Sequence, residues 1–176
     1  MRQRVMIALA LSMEPDLLIA DEPTTALDVS VQAQVMSILR ERTETLGSAA
    51  ILITHDLGLV AEFADDVIVM YGGRIVERGP VQRVLADPGH PYTAGLLASL
   101  CTLDSDSTRP LPVIGGTPPQ LSSLPAGCAF QPRCWMATDV CRVETPALAA
   151  NPDPRLGMSA CHHAWSISGM PDGEVR

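Results

Sequence analysis

Leu17-Leu18-Ile19-Ala20-Asp21-Glu22-Pro23-Thr24-Thr25-Ala26-Leu27-Asp28 runs four apolar residues into two adjacent carboxylates and then a Pro-Thr-Thr turn. A short, bounded apolar run reads as a strand covered on both faces, the habit of parallel sheets. Asp21 and Glu22 then stand at its carboxyl end, the side on which open α/β sheets take their ligands. Two buried carboxylates are costly unless a cation or a proton-transfer role offsets them, so the pair suggests Mg²⁺ with a general base. The plainer reading is a strand ending in a solvated acidic turn.

Working outward, Ala49 to Thr54 is a second apolar strand, with His55 directly after it. The interval between the two strands fits a βαβ crossover. Within it, Ser30 to Leu46 carries an apolar stripe of Val31, Val35, Ile38, Leu39 and Leu46, with Ser30 as the expected cap and Gly47 as terminator. Upstream, residues 2–13 are rich in helix formers until Pro15 stops them, and their apolar residues cover most of the circumference, which predicts a buried helix. Downstream, a short helix is expected from Asp56 to Phe63. Gly72-Gly73 then joins two strand-like runs, Asp66–Tyr71 and Arg74–Arg78, into a tight hairpin.

Residues Asp21 to Asp28 resemble the Walker B motif and D-loop of ABC-transporter ATPases, and Ile51-Leu52-Ile53-Thr54-His55-Asp56 is similar to that family's switch-histidine loop. Met1-Arg2-Gln3-Arg4-Val5 looks like the helix that follows the family's signature loop. On these three motifs, in that order, the chain is identified as a member of the family. The fold this implies is α/β, the C-terminal half of a P-loop NTPase (ABC ATPase) core with a small, loop-rich, cysteine-containing C-terminal extension. The implied roles are Asp21 on Mg²⁺ through water, Glu22 activating the hydrolytic water, His55 sensing the γ-phosphate of ATP, and Asp28 at the interface with a second ATPase subunit.

The chain has twelve arginines and no lysine. A P-loop, G-x-x-x-x-G-K-[ST], is therefore impossible within these 176 residues. The glutamine loop and Leu-Ser-Gly-Gly signature are missing as well. The sequence looks like the carboxyl-terminal portion of a longer ATPase, so the isolated chain is expected neither to bind ATP tightly nor to hydrolyse it. Loss of the sheet's front half is expected to expose apolar surface. A net charge of −8 disfavours a nucleic-acid partner. The chain has no signal-peptide pattern and no apolar run long enough to span a bilayer, which predicts a cytosolic protein.

At residue 80 the composition changes: thirteen of the fifteen prolines lie from there onward. Helical patterning persists to Leu100, broken by His90-Pro91-Tyr92. That triplet reads locally as a helix start, with Pro91 in the first turn. It also resembles the start of the extension in oligopeptide and dipeptide importer ATPases. Residues 102–126, rich in Ser, Pro and Gly, read as a connector. The expected division is 1–79 for the partial ATPase core, 80–126 for the helical extension and linker, and 127–176 for a cysteine-rich tail.

Cys128, Cys134, Cys141 and Cys161 are spaced C-x5-C-x6-C-x19-C, with Cys101 apart. In a reduced compartment four thiols in one small segment suggest a metal or a cluster rather than disulfides. Zinc favours C-x2-C knuckles, which are lacking, whereas a 4Fe–4S cluster held by four thiolates tolerates wider spacing. The tail is similar to that of peptide-importer ATPases, some of which carry a 4Fe–4S cluster there; zinc is the alternative. His162 and His163 could replace a ligand or support one, and Trp135 and Trp165 are expected to pack over the site. The resemblance implies a peripheral subunit on the cytoplasmic face of the membrane. It would work with transmembrane permease subunits, a second ATPase subunit and, indirectly, a peptide-binding protein to drive oligopeptide or dipeptide uptake. The rival reading is a non-enzymatic remnant whose metal-binding tail is a structural or redox module.

Overall fold

A computed structural model describes residues 2–25, 27–100 and 112–167, with Arg2, Gln3, Arg4, Val29 and Pro154 followed in backbone only. Met1, Ala26, Cys101 and the first part of the expected connector lie outside the described residues. The chain divides into two compact units, Met1–Ala64 and Asp65–Arg176.

The first unit is α/β. Helix α1 (Arg2–Leu11) precedes strand β1 (Leu17–Asp21), helix α2 (Val29–Leu46), strand β2 (Ala49–Ile53) and helix α3 (Leu57–Phe63). β1 and β2 pair in parallel from Leu17↔Ala49 to Asp21↔Ile53. Alternate strand residues Leu18 and Leu52 pack on Val35, Met36 and Leu39 of α2 and Leu59 of α3. Of the expected stripe on α2, Val35 and Leu39 are buried and Val31 packs against them, whereas Ile38 and Leu46 are exposed and Met36 is buried in addition.

The other face is open, which corrects the expectation of a strand buried on both sides. Ile19 is 60% exposed, and Leu17, Ile51 and Ile53 are exposed beside it. Within this unit the helical core packs on one face of a two-stranded sheet, so the period-2 alternation leaves every second apolar residue uncovered. Helix α1 departs from expectation for the same reason. Ile7 and Leu11 join the core, but Val5, Met6 and Leu9 are exposed, as is Met13 just beyond the helix at 80%.

Helix α2 is capped by Asp28, not Ser30. The Asp28 Oδ1 accepts the Val31 amide at 2.9 Å and the Ser30 hydroxyl at 2.7 Å. A carboxylate at the positive end of a helix outcompetes a neutral hydroxyl there. At the other end Gly47 takes φ +66°, the left-handed terminator anticipated from the sequence.

The second unit opens with β3 (Asp66–Tyr71) and β4 (Arg74–Pro80), an antiparallel hairpin turned by Gly72 and Gly73 at φ +55° and +75°. Two consecutive positive φ values are what a two-residue hairpin loop demands. Helices α4 (Val81–Ala86), α5 (Pro91–Ala98) and α6 (Asp139–Val143) follow, with short strands β5 (Ala149–Ala150) and β6 (Met158–Ser159). Strand order is β3-β4-β6-β5, with Glu77 and Arg78 paired to Ser159 and Met158. The hairpin therefore shares its sheet with the cysteine-rich segment. Gly157 permits that closure, since a Cβ there would meet the Arg78 carbonyl oxygen at 2.3 Å.

The core of this unit is aromatic. Tyr71, Tyr92 and Phe130 have ring centroids 4.6–5.4 Å apart, and His90 lies 5.9 Å from Phe130. Arg133 ties the connector down by donating to the Gly115 and Ile114 carbonyls and to the Tyr71 hydroxyl. Among the described residues, no helix is long and apolar enough to cross a membrane.

Candidate functional site

The first unit gathers its chemistry at the carboxyl ends of β1 and β2. Asp21 is the last residue of β1 and is exposed. The chain turns sharply at Glu22, whose φ is +46°, a region that costs a non-glycine residue energy. Its amide donates to the Ile53 carbonyl at 2.9 Å, tying the turn to the neighbouring strand end. That geometry brings the Glu22 Oε1 to 2.8 Å from His55 Nδ1. The other carboxylate oxygen, Oε2, accepts the Thr25 hydroxyl at 2.7 Å.

The two side chains shift each other's titration. The His55 and then the Thr25 hydrogen bonds hold the Glu22 carboxyl below its ordinary value. The same bond from Glu22, with its charge, raises His55. The His55 side chain is 82% exposed, so the pair is reachable from solvent. Such an arrangement can accept a proton on Glu22 and present a cationic imidazole to an anion.

Asp28 lies in the following turn, where it caps α2. Hydrogen bonds from Ser30 and Val31 lower its carboxyl. The next loop holds a residue that the sequence reading assigned to a helix start without a partner. Asp56 caps α3 through Gly58 and Leu59 and accepts the Gln32 side-chain amide at 3.3 Å, tying α2 to the loop carrying His55. Thr25 was also missed, because only the positive φ at Glu22 turns the chain so that its hydroxyl meets the carboxylate.

In the second unit, Cys128, Cys134, Cys141 and Cys161 line one small cavity, with His90, Phe130, His162 and His163. The Cys128 amide donates to the Cys141 carbonyl at 2.9 Å. All four are free thiols. Burial pushes Cys134 up to about 12 and Cys161 up to about 11, with neighbouring cysteines adding to both shifts. Among the described residues, no three His, Cys, Asp or Glu side chains are grouped so that they could hold a metal ion. The donor chemistry would suit a thiophilic metal, but burial, which raises Cys128, Cys134 and Cys161, keeps those three as neutral thiols. His162 and His163 are occupied instead by the Glu144 carbonyl at 3.0 Å and the Thr138 hydroxyl at 2.8 Å. Neither Trp135 nor Trp165 lines that cavity, and the Arg83 guanidinium lies 4.1 Å over the Trp165 ring.

The triplet His90-Pro91-Tyr92 now has a physical account. His90 is 1% exposed and caps α5, its Nδ1 accepting the Tyr92 amide at 3.0 Å. Pro91 takes the first turn, and Tyr92 enters the aromatic core. Behind them the fully buried Glu77 accepts the Gly89 and His90 amides and the Arg83 guanidinium at 2.6, 3.1 and 2.9 Å. Arg83 still has its Nε and Nη2 without a hydrogen-bond partner.

Residues 76–141 match the family model described as the C-terminal region of the oligopeptide/dipeptide transporter. A putative peptide import ATP-binding protein of Brucella abortus is 50% identical over 166 residues, which is 91% of this chain and 50% of that protein. The oligopeptide transport ATP-binding protein OppD of Salmonella typhimurium is 53% identical over 152 residues, 86% of this chain and 45% of its own length. The chain spans about half the length of the curated relatives it matches. Among solved structures, CbiO1 of Clostridium perfringens, part of the ABC transporter complex CbiONQ, is 42% identical with a TM-score of 0.45, covering 48% of this chain and 34% of that one.

Proposed function

We propose, from a chain that carries the C-terminal region of the oligopeptide/dipeptide transporters and is half identical to part of their ATP-binding proteins, that it supplies the water-activating half of an ATP-hydrolysis site in a peptide importer. The observation that carries this reading is the 2.8 Å hydrogen bond between Glu22 and His55, two residues delivered from the ends of adjacent parallel strands. Phosphoryl transfer to water asks for positioning and charge neutralisation more than covalent chemistry. Glu22 orients the attacking water and takes its proton. His55, made more basic by Glu22, offers a positive N–H toward the γ-phosphate. Asp21, exposed at the strand end, would hold Mg²⁺ through water, and the ion would supply neutralisation of phosphate charge. Asp28 faces a second ATPase subunit.

The phosphate-gripping lysine comes from outside these 176 residues, since they contain none. The exposed apolar side chains of β1 and β2 support that division, because parallel sheets are normally covered on both faces. In this reading the assembled subunit sits at the cytoplasmic face of the membrane on permease subunits, and a peptide-binding protein is a partner only indirectly, through that permease. The four thiols of the tail share a cavity but are not grouped to hold a metal ion, so neither a 4Fe–4S nor a zinc centre contributes to this site.

The test is co-assembly of this chain with a polypeptide corresponding to the other half of the relatives. The chain alone should bind Mg-ATP weakly and show no turnover. The assembly should hydrolyse ATP, and Glu22→Gln should slow it by roughly two orders of magnitude or more, the scale of general-base removal. Undiminished hydrolysis in that variant would refute the assignment.

A further inference from the structure

We infer that Thr25 is a positioning residue for Glu22. Its hydroxyl donates to Oε2 at 2.7 Å, while His55 Nδ1 lies 2.8 Å from Oε1, so both carboxylate oxygens are engaged, from opposite sides of the turn. This inference rests on the reading of Glu22 as the water-activating carboxylate and adds what aims it.

An exposed glutamate has several rotamers of similar energy, and fixing one costs side-chain entropy. A single hydrogen bond to the largely exposed His55 leaves the carboxylate free to swing about that contact. A second, charge-assisted bond removes that freedom. The backbone supplies the placement. With Glu22 at φ +46°, the Thr25 amide donates to the Glu22 carbonyl at 3.2 Å, closing a turn that carries the Thr25 side chain alongside the Glu22 carboxylate. Serine could make the same bond; valine, of nearly the same shape, could not.

The test has two arms. In the 176-residue chain, NMR follows the titration of the His55 ring in wild type, Thr25→Val, Thr25→Ser and Glu22→Gln. Glu22→Gln should return His55 to its ordinary midpoint. Thr25→Val should move it part of the way, and Thr25→Ser should leave it at the wild-type position. Amide resonances of α2 and β2 report folding of the first unit, and Thr25→Ala gives the same readout should valine disturb the turn. In the co-assembled ATPase, Thr25→Val should lower kcat roughly 10- to 100-fold, the cost of a misplaced reacting group, with KM for Mg-ATP unchanged and activity rescued by serine. A His55 titration and kcat in Thr25→Val and Thr25→Ala that superpose on wild type would overturn the inference. So would a serine variant that behaves like valine. Failure of the parent reading looks different: Glu22→Gln would keep full hydrolysis while the titrations still separate the Thr25 variants.

Discussion

The molecule contains two carboxylate–histidine arrangements, and they have opposite fates. In the first unit Glu22 meets the His55 ring directly, at the surface, on a strained turn. In the second, Glu77 meets the backbone of His90, and both residues are sealed from solvent. The first pair raises its histidine's basicity, while burial drives His90 down to about 4. Burial sets the difference: the same residue types hold charge ready for chemistry where water reaches them, and hold backbone in place where it does not. The proposed function rests on the pair whose partners are few and exposed. Architecture belongs to the one whose partners are many and buried.

The comparison breaks most readily at Glu77. Glu77→Ala would strand the Arg83 guanidinium and the amides of Gly89 and His90 without their shared acceptor. Removing one partner from a buried ionic network costs about 3–5 kcal/mol. Because Trp135 and Trp165 both lie in the second unit, urea unfolding followed by tryptophan fluorescence isolates that loss. The midpoint should fall sharply. A variant as stable as wild type would show that the network is incidental.

The second contrast is in pH. His90 is neutral in the folded state, with its value lowered to about 4 by burial. The unfolded chain takes up the proton first, near its ordinary value of about 6.5. Stability of the second unit is therefore full above that value and declines as pH falls toward 4, a loss approaching ~3 kcal/mol. His90→Gln should flatten the dependence. The surface pair behaves differently. His55, raised by Glu22, adds stability that is present below its unfolded value and lost as pH rises through its folded one. Glu22, lowered chiefly by His55, adds stability that is lost as pH falls through the carboxylate range. Both groups lie in the first unit, which carries no tryptophan, so fluorescence-detected unfolding should register the His90 dependence and not theirs.

The two units also differ in how far they could be read from residues alone. In the first, apolar runs, a polar helix face and Gly47 are local signals, and they located β1, α2, β2 and the strand-end acids. Local signals do not say what lies across the sheet, so Leu17, Ile19, Ile51 and Ile53 were expected inside and are exposed. Nor did they reveal Thr25, because a turn threonine has no pattern until the turn's φ values are known. The second unit is built from distant contacts. Glu77 sits in Arg74-Ile-Val-Glu-Arg78, where nothing local marks a glutamate as buried. It is buried because Gly89, His90 and Ser159 close over it from far along the chain. The cysteines were legible as a cluster and do share one cavity, but their spacing carried no information about whether thiols or thiolates would occupy it.

Asp28 gives the smallest expected effect and the sharpest use of the comparison, because one side chain has two candidate duties. As the cap of α2 it satisfies the Val31 amide, and Asp28→Ala should lower the thermal midpoint of the first unit by about 5 °C in circular dichroism. Asp28→Ser keeps a capping oxygen and removes the charge, so that variant should melt close to wild type. The proposed interface with a second ATPase subunit asks something different of the residue, namely a carboxylate facing a partner. If serine preserves the melting curve but weakens association in the co-assembled ATPase, the charge acts between subunits and the cap acts within one. If serine is silent in both measurements, Asp28 belongs with Glu77 as architecture, and the exposed chemistry of the first unit contracts to Asp21, Glu22, Thr25 and His55.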